Sequence, residues 1–126
     1  MKSILVVDDD TLFLQSVKRG LCALHDDFNV YIAENGYEAV WVMGRVDIDL
    51  MITDLRMPNM DGFELIRSAN AFHKDVIVIA MTAFCEPGAE NMLKKMGVKA
   101  CLDKPLDIDE LEAAVTASFT MSGAAA

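Results

Sequence analysis

Side chains that could take part in chemistry lie within two residues after the ends of four separate apolar runs of the sequence. The carboxylates of Asp8, Asp9 and Asp54, the hydroxyl of Thr82 and the ammonium of Lys104 occupy these positions. Clustered carboxylates repel one another unless a cation lies among them, and all-oxygen ligands favour Mg2+ or Mn2+ over Zn2+. Such a set could bind a tetrahedral anion, with Asp54 as the nucleophile.

Five apolar runs alternate with segments of helical spacing, and these are the elements that must position the reactive side chains. We predict strands at 4–7, 29–33, 50–52, 76–81 and 98–102, each followed by a helix. Strict alternation implies a parallel sheet with right-handed crossovers and helices on both faces, which is one doubly wound α/β domain. Ligands of such sheets bind outside the carboxyl ends of the strands, where the five side chains would converge.

Capping signals predict where several of the helices begin. Asp10 or Thr11 can cap the first helix, and the third helix begins at Asp61. Pro87 is expected in the first turn of the fourth helix. Asp107, with Glu110 three residues later, has the arrangement of a capping box at the start of the fifth helix.

Composition limits the classes of function. The 126 residues suit one domain, and the hydrophobic fraction of 53% suits a sheet covered on both faces. A net charge of -9 argues against nucleic acid as a partner and is compatible with binding a cation. The sequence has neither an apolar run long enough to span a membrane nor a signal peptide, so we expect a cytoplasmic protein.

The cysteines carry no recognisable metal or disulfide pattern. Cys22, Cys85 and Cys101 are widely spaced and form no CxxC pair. We therefore expect reduced thiols, most of them buried.

The chain resembles the receiver domains of two-component response regulators, from Lys2 to about Phe119. This resemblance implies a flavodoxin-like sheet of strand order 2-1-3-4-5 with five helices, a receiver domain over residues 1–120, and a short tail or the start of a linker over 121–126. The matching motifs are Val7-Asp8-Asp9, Thr53-Asp54 with Met57-Pro58-Asn59-Met60-Asp61-Gly62, Met81-Thr82-Ala83, and Asp103-Lys104-Pro105.

The resemblance also implies a role for each site residue. Asp54 would accept a phosphoryl group from a sensor histidine kinase or a histidine phosphotransfer protein. Mg2+ would be held by Asp8, Asp9, Asp54 and the backbone carbonyl of Arg56. Thr82 and Lys104 would bind the phosphoryl oxygens, and the peptide between Lys104 and the proline after it would be cis.

The implied activity is that of a switch, and the only reactions catalysed are its own phosphorylation and dephosphorylation. Phosphorylation would alter the face made by the fourth helix, the fifth strand and the fifth helix, which a downstream protein target or an output domain would read. Dimerisation on phosphorylation is common in the family, and the sequence does not decide it here. Neither nucleic acid nor a membrane is expected as a partner of this domain.

Two positions depart from the pattern of the family. The aromatic residue that usually lies three residues before the lysine is replaced by Cys101, so the usual aromatic gate is in doubt. The residues two beyond the acceptor and two beyond the threonine, which influence dephosphorylation in the family, are Arg56 and Phe84. We expect the bulky ring of Phe84 to hinder the attacking water and to prolong the phosphorylated state.

Three other functions are alternatives to that of a receiver domain. A haloacid-dehalogenase-like phosphatase would use an Asp8-x-Asp10 motif after the first strand, and would leave Asp54 unexplained. A flavodoxin-like flavin carrier needs a phosphate loop rich in Ser, Thr and Gly after the first strand, where this chain is acidic. A receiver-like interaction module that does not take phosphate would retain the fold without the reaction.

Overall fold

The computed structural model describes residues 1–84 and 86–125, with side chains described as far as residue 120. Strands and helices alternate along the whole chain, as the sequence predicts. The strands are β1 (Lys2–Val7), β2 (Phe28–Ala33), β3 (Leu50–Asp54), β4 (Ile77–Thr82) and β5 (Ala100–Asp103), and the helices are α1 (Thr11–Leu24), α2 (Gly36–Met43), α3 (Gly62–Phe72), α4 (Ala89–Lys95) and α5 (Ile108–Ala125).

The five strands form one parallel sheet in the order β2-β1-β3-β4-β5. Val7 at the end of β1 pairs with Thr53, and Asp54 at the end of β3 pairs with Met81. The carboxyl ends of the central strands therefore lie side by side at one edge of the sheet. The predicted doubly wound, flavodoxin-like architecture and its strand order are confirmed.

Both faces of the sheet are buried, which explains why the strand sequences are continuous apolar runs. Successive residues of a strand point to opposite faces. Leu5 and Val7 therefore pack with the side of the sheet covered by α2, α3 and α4, while Ile4 and Val6 pack with the side covered by α1 and α5. All four side chains are fully buried. Each contributes roughly 1.5–3 kcal/mol of transfer free energy. Packing on both faces therefore stabilises the position of the strand ends.

Short polar side chains begin four of the helices at that same edge. Each accepts a hydrogen bond from a backbone N–H of the first helical turn, a group that otherwise lacks a partner. Removing such a cap costs about 1 kcal/mol. The caps are Asp10 to Leu12 and Phe13 (3.1 and 3.2 Å), Asn35 to Glu38 (2.9 Å), Asp61 to Glu64 (2.9 Å) and Asp107 to Glu110 (2.7 Å).

The start of α4 differs from the prediction. Pro87 lies outside the helix, because Gly88 adopts a left-handed conformation with φ of 86° and the helix begins at Ala89. Glycine takes this conformation without the steric cost that a Cβ atom would bring. The helix is therefore shorter than the pattern of Met92, Leu93 and Met96 suggests.

The two cysteines that the structure describes are less buried than expected. Cys22 is exposed, because it lies next to buried Leu21 on α1 and points away from the sheet. Cys101 is half-buried. Cys85 lies outside the described residues.

The described part of the chain contains no helix that is both long enough and apolar enough to cross a membrane. The boundary between a domain over 1–120 and a short tail or linker over 121–126 stays a prediction. The backbone of α5 extends to Ala125, and Ala126 lies outside the described residues.

A histidine and a glutamate connect the end of α1 to α5. The Nε2 atom of His25 lies 2.6 Å from Oε1 of Glu112, and the His25 ring stacks on Phe28 with ring centroids 4.4 Å apart. Thr116 donates a second hydrogen bond to the same carboxylate oxygen, at 3.1 Å. The hydrogen bond with His25, and then that from Thr116, hold the pKa of Glu112 below its usual value.

We predict that Glu112→Gln lowers the stability of the protein at neutral pH and that this loss disappears in acid. A carboxylate whose pKa is depressed by folding stabilises the folded state above its unfolded pKa, and this contribution is lost as the pH falls through the folded value. Urea unfolding at pH 7 and below pH 4 measures the difference. Glu34→Gln, at an exposed position before α2, is the control, and an equal loss at both pH values would contradict the prediction.

Candidate functional site

Three carboxylates meet where β1 and β3 end. Asp8, Asp9 and Asp54 each offer an oxygen atom, and these atoms all lie within 4.8 Å of one another. Asp8 and Asp54 are only 1% and 7% exposed, whereas Asp9 is open to solvent. Burying two negative charges this close together is unfavourable unless a cation accompanies them.

Lys104, directly after β5, supplies a positive charge to the two buried acids. Its ammonium donates to Oδ2 of Asp8 and, at 3.1 Å, to Oδ2 of Asp54. The same ammonium lies 5.0 Å from the ring centroid of Phe13. Burial works against the charged ammonium, but the hydrogen bonds to Asp8 and Asp54 outweigh it and raise the pKa of Lys104. Lys104 is therefore charged at neutral pH.

The loop after β3 holds the Asp54 carboxylate by its second oxygen. The backbone N–H of Arg56 donates to Oδ1 of Asp54 at 3.1 Å, so that each carboxylate oxygen has a different donor. Gly62, at the start of α3, lies against the same loop and donates its N–H to the Leu55 carbonyl at 3.1 Å. A Cβ atom at Gly62 would collide with the backbone oxygen of Asp54 and would lie 2.6 Å from Cα of Leu55. Only glycine allows α3 to begin this close to the backbone of Asp54.

The acids after β1 are arranged differently. Oδ1 of Asp8 accepts the N–H of Asp10 at 3.0 Å, which turns its carboxylate toward the sheet edge before α1 begins. Partial desolvation, a hydrogen bond with Asp8, and repulsion from Asp8 and Asp54 raise the pKa of Asp9. Asp9 thus experiences the negative charges of Asp8 and Asp54, although Lys104 pairs with both of those acids.

Thr82 reaches the same edge from β4 but is bonded within its own loop. Its hydroxyl donates to the carbonyl of Phe84 at 2.9 Å and accepts the N–H of Phe84 at 3.2 Å. The Thr82 carbonyl accepts the N–H of Lys104 at 2.8 Å, which connects the ends of β4 and β5. The side chain of Phe84 is exposed. In this conformation the hydroxyl of Thr82 is engaged by the loop and not by Asp54.

The acidic cluster fits a small divalent cation that prefers oxygen ligands. Three carboxylates against one ammonium leave two negative charges uncompensated. Carboxylate oxygens that are open to solvent on one side suit Mg2+ or Mn2+, which retain several waters. One edge of the sheet brings together every predicted site residue: Asp8, Asp9, Asp54, Arg56, Thr82 and Lys104. Their roles in binding the metal and the phosphoryl group stay predictions.

The structure adds features that no sequence pattern indicated. Arg56 forms an ion pair with Glu86, which joins the loop after β3 to the loop after β4. Between these loops lies a cavity of about 470 Å³, lined mainly by apolar side chains with Thr82 and Phe84 among them. The cis peptide between Lys104 and Pro105, in contrast, was implied by the resemblance and is confirmed. Charged residues far apart in the sequence carry no local signal of their pairing, so the ion pair could not be predicted.

Comparison with known proteins agrees with this architecture. The family model for the response regulator receiver domain matches residues 4–116. A crystal structure of a CheY-like response regulator receiver domain protein from Methanospirillum hungatei JF-1 superposes with a TM-score of 0.92 at 25% identity, covering 100% of this chain and 99% of that one.

Curated relatives of two lengths are similar to the chain. Sporulation initiation phosphotransferase F of Bacillus subtilis is 30% identical over 117 residues, with 90% of each protein covered. The transcriptional regulatory proteins ZraR of Klebsiella oxytoca and GlrR of Escherichia coli are 35% and 34% identical, over 86% and 97% of this chain. The chain spans only 24% and 27% of the length of those two regulators. The chain belongs to the receiver domain family of two-component response regulators.

Proposed function

We propose that the chain is a phosphorylation-dependent switch in which Asp54 accepts a phosphoryl group from a phosphohistidine. The donor would be a sensor histidine kinase or a histidine phosphotransfer protein. The observation that carries the proposal is the contact of the Lys104 ammonium with both Asp8 and Asp54, inside a cluster of three acids. A carboxylate held between a cation and further acids, at the edge where ligands of parallel sheets bind, is suited to phosphoryl chemistry.

In the transfer step an oxygen of Asp54 attacks the phosphorus atom in line with the phosphorus–nitrogen bond of the donor. That bond breaks, and the imidazole leaves with its electron pair and is protonated. The Arg56 N–H and the Lys104 ammonium orient the carboxylate before the attack. Asp8, Asp9, Asp54 and the Arg56 carbonyl would hold Mg2+, which when bound neutralises charge on the acids and on the phosphoryl oxygens.

The structural response would begin at Thr82. Its hydroxyl would leave the carbonyl of Phe84 and donate to a phosphoryl oxygen, because a charged acceptor makes a stronger hydrogen bond than a neutral carbonyl. Lys104 would transfer its hydrogen bond from the Asp54 carboxylate to the phosphoryl group. The loop after β4 would move with Thr82 and shift the face made by α4, β5 and α5.

A protein target or an output domain would read that face. The printed names of ZraR and GlrR, transcriptional regulatory proteins about four times as long as their match to this chain, support an output of this kind. Cys101 lies on β5 opposite Ala80 of β4 and is half-buried. Its thiol is much smaller than an aromatic ring, so the response would proceed without a rotating ring at this position.

The direct test is phosphorylation of the protein by a small acyl phosphate or a phosphohistidine donor with Mg2+. We expect one phosphoryl group per chain, located on Asp54 by mass spectrometry, and complete loss in Asp54→Asn. Asp61→Asn is the matched control, because asparagine also caps a helix and the site should be unaffected. Phosphate on another residue would contradict the proposal, failure to bind beryllofluoride would favour the unphosphorylated module, and steady turnover of a phosphate ester would favour the phosphatase.

We further predict that Phe84→Ala speeds the loss of the phosphoryl group several-fold. The Phe84 ring lies in the loop that bonds Thr82 and lines the cavity beside the site, where it would obstruct water that attacks the phosphorus atom. Release of phosphate from the purified phosphorylated protein measures the rate. Phe72→Ala removes an exposed ring at the opposite end of α3 and should leave the rate unchanged. Equal rates for the wild type and Phe84→Ala would show that the ring has no such part.

The acidic cluster predicts that Asp9→Asn stabilises the metal-free protein at neutral pH. Folding raises the pKa of Asp9, so its carboxylate opposes folding once the pH exceeds that value, and asparagine removes the repulsion. Solvent screens this exposed group, so the gain is about 0.5 kcal/mol. Urea unfolding in EDTA measures it, and added Mg2+ should stabilise the wild type more than the variant. Asp10→Asn, which keeps a capping oxygen, is the control; a loss of stability in Asp9→Asn would contradict the prediction.

A further inference from the structure

The ring of Phe13, in the first turn of α1, is a third neighbour of the Lys104 ammonium. The Nζ atom of Lys104 lies over this ring, 5.0 Å from its centroid. An aromatic face attracts a cation at such a distance through the quadrupole of the ring. The other two neighbours are the carboxylates of Asp8 and Asp54, which accept hydrogen bonds from the same ammonium. The ammonium is therefore held by two anions and by one neutral ring.

Local structure fixes the position of the Phe13 ring. The Asp10 carboxylate accepts the backbone N–H of Phe13 at 3.2 Å, so the cap that begins α1 also places this residue directly after the acidic loop. The ring is half-buried and packs with the side of the sheet covered by α1 and α5. With Leu106 it lines a cavity of about 100 Å³ between α1 and the segment after β5. The packing of α1 against the segment that follows Lys104 thus brings ring and ammonium together.

The two carboxylates would change partners during the proposed switch, whereas the ring would not. Asp8 and Asp54 would become ligands of the metal, and the hydrogen bond from Lys104 to Asp54 would pass to the phosphoryl group. Each change alters what attracts the ammonium. The Phe13 ring carries no net charge and offers no metal ligand, so its attraction for the ammonium persists through all these states.

We propose that Phe13 is a positioning residue for phosphoryl transfer, whose ring holds the Lys104 ammonium beside Asp54 while the carboxylates change partners. The inference rests on the proposed function, because it takes Lys104 as the group that binds the phosphoryl oxygens. Without the ring, the ammonium would spend less time in the position that meets the phosphoryl group. Transfer to Asp54 would then be slower and beryllofluoride binding weaker, each by about three- to tenfold.

Phosphorylation by a small acyl phosphate with Mg2+ measures this effect, because such a donor needs no docking surface on α1. Phe13→Leu keeps an apolar side chain without the ring, and we expect its Asp54 to be phosphorylated about three- to tenfold more slowly. Phe13→Tyr keeps the ring and should remain close to the wild type. Phe119→Leu is the matched control and should leave the rate unchanged. Its ring is also half-buried and lies 5.2 Å from an ammonium, that of Lys2 at the start of β1.

Fluorinated phenylalanine at Phe13 separates attraction of the cation from packing. Each fluorine draws electron density from the face of the ring and changes its shape little. The logarithm of the phosphorylation rate should therefore fall steadily from one to three fluorines, whereas the same series at Phe119 should leave the rate unchanged. In EDTA, the fluorine resonance of singly fluorinated Phe13 should shift when Lys104→Met removes the ammonium, and that of singly fluorinated Phe119 should not. This last measurement needs neither metal nor phosphate.

The outcomes distinguish this inference from the proposed function. If the wild type is phosphorylated on Asp54 and Phe13→Leu reacts equally fast, the ring has no positioning role and the proposed function still stands. A slow Phe13→Leu variant with a flat fluorine series would show that the ring acts by packing alone, which also overturns the inference. A fluorine resonance at Phe13 that ignores Lys104→Met would do the same. If the wild type takes no phosphoryl group on Asp54, the proposed function and this inference fail together.

Discussion

The burial of two like charges at the end of a hydrophobic sheet is the constraint on which the rest of the structure depends. Asp8 and Asp54 are almost fully removed from water, and an isolated charge in that position would cost several kcal/mol. Lys104 meets both carboxylates, and it comes from the far edge strand of the sheet. A buried acid pair and its cation thus connect the ends of three strands, and their stability depends on the sheet being assembled correctly.

The remainder of the domain keeps that arrangement rigid. Parallel pairing brings the ends of β1, β3 and β4 to one level, and helices on both faces prevent the strands from sliding. Capping by Asp10 and Asp61 starts the next helix immediately after each acidic loop. Gly62 lets α3 touch the backbone of Asp54. The helix caps and Gly62 act through neighbouring residues, whereas strand pairing and helix packing act over long distances in the sequence. Both position the carboxylates at the end of the sheet.

In the proposed switch, the acidic edge would act together with the loop after β4. The excess negative charge of the cluster favours a divalent cation, and the carboxylate of Asp54 lies among the acids that would surround it. Thr82 is buried, and among the described residues the hydrogen bonds of its hydroxyl are with Phe84 of the loop that follows it. A new anion near Asp54 would compete for that hydroxyl and for Lys104 together. In this way a local charge change can bias the conformation of a whole surface.

The sequence by itself determined the α/β alternation, the strand cores and the caps at Asp10 and Asp61, because periodicity and capping are properties of neighbouring residues. Tertiary structure alone decided the rest. Lys104 and Asp8 are separated by 96 residues, and Arg56 and Glu86 by 30. Their contacts depend on strand register and loop placement, to which no local pattern refers. The late start of α4 after Pro87 and the exposure of Cys22 and Trp41 likewise follow from where each helix lies on the sheet.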